Sequence, residues 1–178
     1  MLPIIVVSSK DDEAAKVAPD QPQISIESGR IMRIADVIGS DQIIVGLRVA
    51  DKAQLLQQLA RRASAALSQD YQVILDALQS RENLGSTGLG KGFALPHARL
   101  TTLTRPFALF ARLARPIDFD SVDERPVDLV ILLLTPASNN QHLATLATLS
   151  RTLRDDGVVR RLRHALNVQE VYQILANA

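Results

Sequence analysis

The chain has no cysteine and no tryptophan, and aromatic residues make up only 3% of its 178 positions. Without cysteine there are no disulfides, thiolate metal ligands or thiol nucleophiles, a composition that fits a reducing compartment. An excess of charge of either sign is also missing. The 20 basic and 19 acidic residues leave a formal net charge of +1, too even for a global nucleic-acid or membrane footprint. No apolar run approaches the ~20 residues of a membrane span. The N-terminal run Leu2 to Val7 is shorter than a signal peptide's hydrophobic segment of about 7–15 residues and lacks a basic start. The expectation is a soluble, cytoplasmic protein with no nucleic-acid partner and no direct membrane insertion.

What is present is ample aliphatic residue. The hydrophobic fraction of 47% suffices for a core of Leu, Ile, Val and Ala, as in α/β proteins whose sheets are covered on both faces. The length suits one domain with or without a tail. Residues 1–31 read as an N-terminal extension. Ser8 to Ser28 is rich in Asp, Glu, Gln, Pro and Ser, which predicts weak order. Leu2 to Val7 has the composition of an edge strand, and Met32 is an alternative start. Residues 32–178 read as the domain.

Within it, Ile34 to Ile38 suits a helical turn, and Ile43, Val45 and Leu47 alternate as a half-buried strand should. Asp51, followed by Gln54, predicts a capped helix with Leu55, Leu56, Leu59, Ala63, Ala66 and Leu67 inward. A second helix begins at Ser68 or Asp70, with Val73, Ile74, Ala77 and Leu78 inward. Strands are predicted at Gly92–Leu95 and Phe107–Leu113, then a turn-rich connector at Pro116-Ile117-Asp118-Phe119. The continuous aliphatic run from Pro126 to Thr135 predicts a central strand. A helix from about Asn140 to Arg154, capped by Ser138 or Asn139, precedes two closing helices near Val158–Leu166 and Val168–Leu175. Strands interleaved with amphipathic helices give an α/β layered domain.

Four of the eight glycines fall in one stretch, Ser80 to Leu100, which reads SRENLGSTGLGKGFALPHARL. Gly85 to Lys91 fits the start of a phosphate-binding P-loop, but Gly92 stands where Ser or Thr would hold magnesium. Moreover, a helix precedes the stretch and a strand follows, the reverse of P-loop order. A second reading is a helix-to-strand loop, since glycines supply tight turns. A third is an anion nest of backbone N–H groups, with Ser86 and Thr87 adding hydroxyl donors. Such a nest needs a reacting group, and His97 is the candidate. A neutral imidazole has a lone pair near neutral pH, and Pro96 restrains the backbone that carries it. Arg81 upstream is suited to phosphoryl oxygens, and His142 sits in the first turn of a predicted helix. His164, among Arg160, Arg161 and Arg163, reads as surface, and no H-x-x-x-H spacing supports a metal site.

The stretch Arg81-Glu82-Asn83-Leu84-Gly85-Ser86-Thr87-Gly88-Leu89-Gly90 through Ala94-Leu95-Pro96-His97 resembles the phosphorylation-site signature of type-2 enzyme IIA domains. These form the fructose, mannitol and nitrogen-regulatory class of the bacterial phosphotransferase system. The likeness continues through Pro116–Asp120, Pro126–Val130 and the His142 helix, over about residues 32–178. The GSTGLG loop looks more like the nitrogen-regulatory branch.

The resemblance implies a mixed, mainly parallel central sheet flanked by helices on both faces. It makes His97 the residue phosphorylated, on its ε2 nitrogen, by an HPr-type phosphocarrier protein. Arg81 and His142 become its supporting residues. No nucleotide, metal or other cofactor is implied. Onward partners would be a IIB protein or regulatory targets such as kinases or potassium transport systems, with a homodimer left open. The chain departs from the family pattern at Ala98, where glycine is common, and at Lys91, where asparagine is frequent. Both border the site, so they bear on which partners dock. A binding module that is never phosphorylated is the rival reading.

Overall fold

The computed structural model describes residues 33–138 and 141–178. The expectations for residues 1–31, for Met32 and for Asn139 as a cap lie outside them. From Arg33 the chain makes a 3₁₀ turn at Ile34–Asp36, then strand β1 (Ile43–Leu47). Helix α1 (Lys52–Leu67) starts where Asp51 accepts from the Gln54 N–H at 2.8 Å. Gln54 returns its side-chain oxygen to the Ala50 N–H at 2.9 Å, one residue before the cap itself. Helix α2 (Tyr71–Asn83) is capped by Asp70, whereas Ser68 ends α1 in a left-handed conformation. Two inward assignments need correction. Ala66 and Val73 are exposed, because the buried stripe of α1 ends at Ala63 and that of α2 begins at Ile74.

Five strands and three helices follow among the described residues: β2 (Gly88–Gly90), β3 (Phe93–Ala94), β4 (His97–Leu100), β5 (Phe107–Ile117), β6 (Val127–Pro136), α3 (Gln141–Thr152), α4 (Asp156–His164) and α5 (Val168–Ala176). The sheet order is β1-β5-β6-β3-β2, with β4 also on β6. The pairings β1–β5, β3–β6 and β4–β6 are parallel, and β5–β6 and β2–β3 antiparallel, so the sheet is mixed and mainly parallel.

β6 is the axis of this arrangement. Its aliphatic run serves both faces. Val130, Leu132 and Leu134 pack with α1 and α2, while Leu129, Ile131 and Leu133 pack with the closing helices. Such a strand loses the polar/apolar alternation of a half-exposed one, which is why it reads as an unbroken apolar run. β3 and β4 are one strand interrupted. Phe93 faces Leu129 and His97 faces Leu133, four residues further along both strands, so the register survives the break. Pro96 has no N–H to give the ladder, yet its carbonyl still accepts from the Leu133 N–H at 2.9 Å. The expected strand at Gly92–Leu95 thus shrinks to β3, and β4 lies beyond a proline that reads as a terminator. β5 also runs to Ile117, through the stretch expected as a connector. A register shift between Arg112 and Ile117 absorbs Pro116 and re-pairs Ile117 with Val127.

Two arginines fasten the closing helices. Arg112 sets its Nη1 against the carbonyls of Leu162, Arg163 and Ala165 at 2.7–3.0 Å, a cation at the negative end of α4. Arg163 grips Asp128 through Nε and Nη2, both at 2.8 Å, and donates to the Lys91 carbonyl at 2.6 Å. Gly92 sits beneath this clamp at φ +80°, where an added Cβ would collide with Arg163 Nη2 and lie 2.9 Å from Asp128 Oδ1. Gly92→Ala is therefore expected to lower stability by about 1–3 kcal/mol, the scale for a left-handed non-glycine residue. A urea titration with an unchanged m-value and a lower midpoint checks it.

Candidate functional site

Arg81 and Glu82 are neighbours on the last turn of α2, and the helix turn of about 100° per residue sends them to opposite jobs. Glu82 points inward and is 9% exposed. It pairs with Lys52 Nζ at 2.7 Å, accepts the Thr87 N–H at 3.0 Å and accepts the Thr87 hydroxyl at 2.5 Å. Lys52 also reaches Asp120 at 3.0 Å and lies 4.7 Å from the Phe119 ring centroid. Burial pushes the Lys52 ammonium down, but its bonds to Glu82 and Asp120 outweigh this and hold its pKa above the ordinary 10.5.

The glycine loop is wired to this pair rather than opened as a nest. Ser86 donates its hydroxyl to the Phe119 carbonyl at 2.7 Å and accepts the Gly88 N–H at 3.1 Å. The Gly85 N–H bonds the Glu82 carbonyl, and the Lys91 N–H bonds Asp123. The loop passes Ser121 so closely that a Cβ on Gly88 would lie 2.9 Å from its Cα. The sequence-predicted site residues therefore separate. Arg81, His97 and His142 converge, whereas the Ser86 and Thr87 hydroxyl protons are committed to Phe119 and Glu82.

His97 opens β4 with its ring half-buried. Nδ1 lies 2.8 Å from the Leu95 carbonyl, and Nε2 lies 2.9 Å from Arg81 Nε. A carbonyl oxygen only accepts and a guanidinium only donates, so the proton sits on Nδ1 and the lone pair on Nε2. Arg81 is braced by a second bond, Nη1 to the Gly85 carbonyl at 3.0 Å. His142, in the first turn of α3, has its ring centroid 5.6 Å from that of His97 and its Nδ1 2.7 Å from Thr135 Oγ1. Both imidazoles titrate below the ordinary 6.5. For His97 burial leads and the Arg81 charge adds, opposed by the Leu95 bond; for His142 burial leads, followed by the charges of His97, Arg99 and Arg81. The two rings line a shallow depression of about 420 Å³ with Arg81, Leu84 and Arg99. Leu84, 87% exposed, gives it an apolar border.

The site thus holds a half-buried imidazole whose Nε2 lone pair faces the Arg81 guanidinium, beside a second imidazole in an open depression. The family model for the phosphoenolpyruvate-dependent sugar phosphotransferase system, EIIA 2, matches residues 36–178. The chain belongs to this family. It is 43% identical over 146 residues to a nitrogen regulatory protein of Bradyrhizobium diazoefficiens, covering 82% of this chain and 95% of that one. It is 36% identical to the nitrogen regulatory protein of Escherichia coli, covering 82% and 91%. Among solved structures, nitrogen regulatory protein IIA-Ntr from Neisseria meningitidis superposes with a TM-score of 0.76 at 29% identity, covering 80% of this chain and 98% of that one. Among the described residues of this IIA domain, no helix is long and apolar enough to cross a membrane.

Lys52, Glu82 and Thr135 were missed from the sequence. Glu82 and Lys52 are 30 positions apart with no local sign that they meet, and Thr135 looks like the end of an aliphatic strand. Of the two family departures, Lys91 pairs with Asp156 at 2.7 Å on the surface, and Ala98 is buried in the core beside His97. His164 is exposed.

Two predictions follow from these contacts. Lys52→Met leaves the Glu82 carboxylate buried without its cation, at a cost of about 3–5 kcal/mol. Adding Glu82→Gln should recover part of that loss in a double-mutant cycle read by chemical denaturation. The histidines set a pH dependence. Their folded pKa values lie below the unfolded 6.5, so the unfolded state binds protons first as pH falls. The stabilisation is complete above the unfolded pKa and is lost on descending from it through the folded values. Urea midpoints measured from about pH 8 to about pH 5 should fall more steeply in the wild type than in His97→Gln/His142→Gln.

Proposed function

We propose that this chain is a regulatory phosphocarrier that accepts a phosphoryl group on His97 Nε2 from an HPr-type phosphohistidine protein. The observation that carries this reading is the pair of bonds on the His97 ring: Leu95 holds the proton on Nδ1, and Arg81 Nε faces the Nε2 lone pair at 2.9 Å. In the transfer, that lone pair attacks phosphorus, the donor's P–N bond breaks, and its electron pair returns to the donor imidazole. Nδ1 keeps its proton throughout. Arg81 yields the lone pair and moves its N–H groups onto the phosphoryl oxygens, a small displacement for a donor already at contact distance. The lowered His97 pKa keeps the nucleophile unprotonated into mildly acidic solution.

His142 stands close enough to add a second donor. Ser86 and Thr87 act one step removed, by holding the loop whose Gly85 carbonyl braces Arg81. The shallow, apolar-edged depression suits docking of one carrier after another and requires no cofactor. Phosphorylation adds negative charge to a surface lined by Arg81 and Arg99, so the two states offer partners different electrostatics. The likeness to nitrogen regulatory proteins supports an output to regulatory targets, such as kinases or potassium transport systems. Onward transfer to a IIB protein of a sugar transporter is the alternative use of the same histidine.

Incubation with enzyme I, HPr and phosphoenolpyruvate should add one acid-labile phosphate by intact mass, and His97→Ala should abolish it. Arg81→Ala should slow the transfer by about a hundredfold, the scale for one charge-stabilising donor. A wild-type chain left unlabelled by several HPr-type donors would replace this reading with that of an unphosphorylated binding module.

A further inference from the structure

Between Leu129 and Leu134 the side chains of β6 are all apolar, and the next residue, Thr135, is 1% exposed. A hydroxyl at that depth needs a hydrogen-bond partner. Thr135 Oγ1 lies 2.7 Å from His142 Nδ1. Its strand position is two residues beyond Leu133, the register partner of His97, so the β4–β6 ladder fixes Thr135 relative to His97, and the first turn of α3 brings His142 to it. Valine has nearly the same shape, so packing alone does not call for the hydroxyl.

A threonine hydroxyl donates or accepts, and the two directions leave opposite chemistry on the other ring nitrogen. If His142 Nδ1–H donated to Thr135, Nε2 would keep a lone pair, which repels phosphoryl oxygens. If Thr135 donates, Nε2 carries a proton and becomes a donor. We infer that Thr135 is a positioning residue whose hydroxyl donates to His142 Nδ1, holding the neutral ring in its Nε2–H tautomer with that N–H turned to the depression shared with His97. The direction of the bond follows from the phosphoryl group the site would hold, so it rests on the phosphocarrier reading, whereas the tautomer itself is observable without phosphate. Burial first, and then the charges of Arg99 and Arg81, disfavour a cationic His142, so a neutral donor is the form the site can keep before phosphate arrives.

The test is histidine-ring ¹⁵N NMR of the full chain at about pH 8, where imidazoles are neutral, for wild type, Thr135→Val and Thr135→Ser. The expected wild-type His142 has a bare Nδ1 and a protonated Nε2, a preference lost in Thr135→Val and restored in Thr135→Ser. Phosphorylation from enzyme I, HPr and phosphoenolpyruvate should then be about three- to tenfold slower in Thr135→Val and within about twofold of wild type in Thr135→Ser. A wild-type His142 protonated on Nδ1 overturns the inference, and that spectrum decides even if Thr135→Val does not fold. An unchanged tautomer and rate in a folded Thr135→Val overturns it as well. If the wild type takes no phosphate while Thr135→Val shifts the tautomer, the phosphocarrier reading falls and the positioning of His142 by Thr135 stands.

Discussion

A single missing amide proton organises the site. Pro96 cannot donate to β6, so the strand that would run from Phe93 to Leu100 breaks into β3 and β4 without losing register. At the break, neighbouring carbonyls take different partners. That of Pro96 serves the β6 ladder, and that of Leu95 accepts from the His97 ring. The imidazole is thereby tied to its own backbone, and its tautomer is set by a carbonyl that can only accept. β6, covered on both faces, supplies a rigid rail for that geometry.

The second constraint is the ion pair under the glycine loop. Glu82 and Lys52 are the charged groups that the loop folds around, and Thr87 and Ser86 extend the network to Phe119. A buried pair of this kind is weak evidence for net stability, because desolvation offsets the attraction. Its effect here is on position. It fixes the end of α2, and the residue beside Glu82 is Arg81. The loop then returns its Gly85 carbonyl to Arg81 and limits where the guanidinium can go. Glycine is needed at Gly88 and Gly92 because Ser121 and the Arg163–Asp128 clamp leave no room for a Cβ.

Electrostatically, the depression is bordered by cationic side chains. Burial leads in lowering the pKa of both imidazoles, with the Arg81 charge adding to each, and two arginines border them. On the phosphocarrier reading, an arriving phosphoryl group would meet the Arg81 guanidinium already at contact distance from the accepting nitrogen. On the same reading the openness of the surface matters, since a reacting group carried by another protein could not enter a closed pocket.

Much of this was legible in the chain itself. Caps at Asp51 and Asp70, the aliphatic run of β6 and the amphipathic stripes of α1 and α2 are local patterns, so these helices, the central strand and the layered class follow from them. Arg81, His97 and His142 stood out by type and setting. What the chain could not show is which donors are already engaged. Ser86 and Thr87 look like phosphate ligands in a glycine loop until Glu82 and Phe119 are brought beneath them. Pro96 looks like the end of a strand until β6 is laid alongside. The sequence determined the elements, because capping and periodicity act within a few residues, and it singled out His97 as the candidate histidine by its setting between Pro96 and the glycine loop. Only the tertiary structure decided the tautomer of His97, the partners of Arg81 and the contact between Thr135 and His142. Each of these is a hydrogen bond to an atom that folding brings into reach.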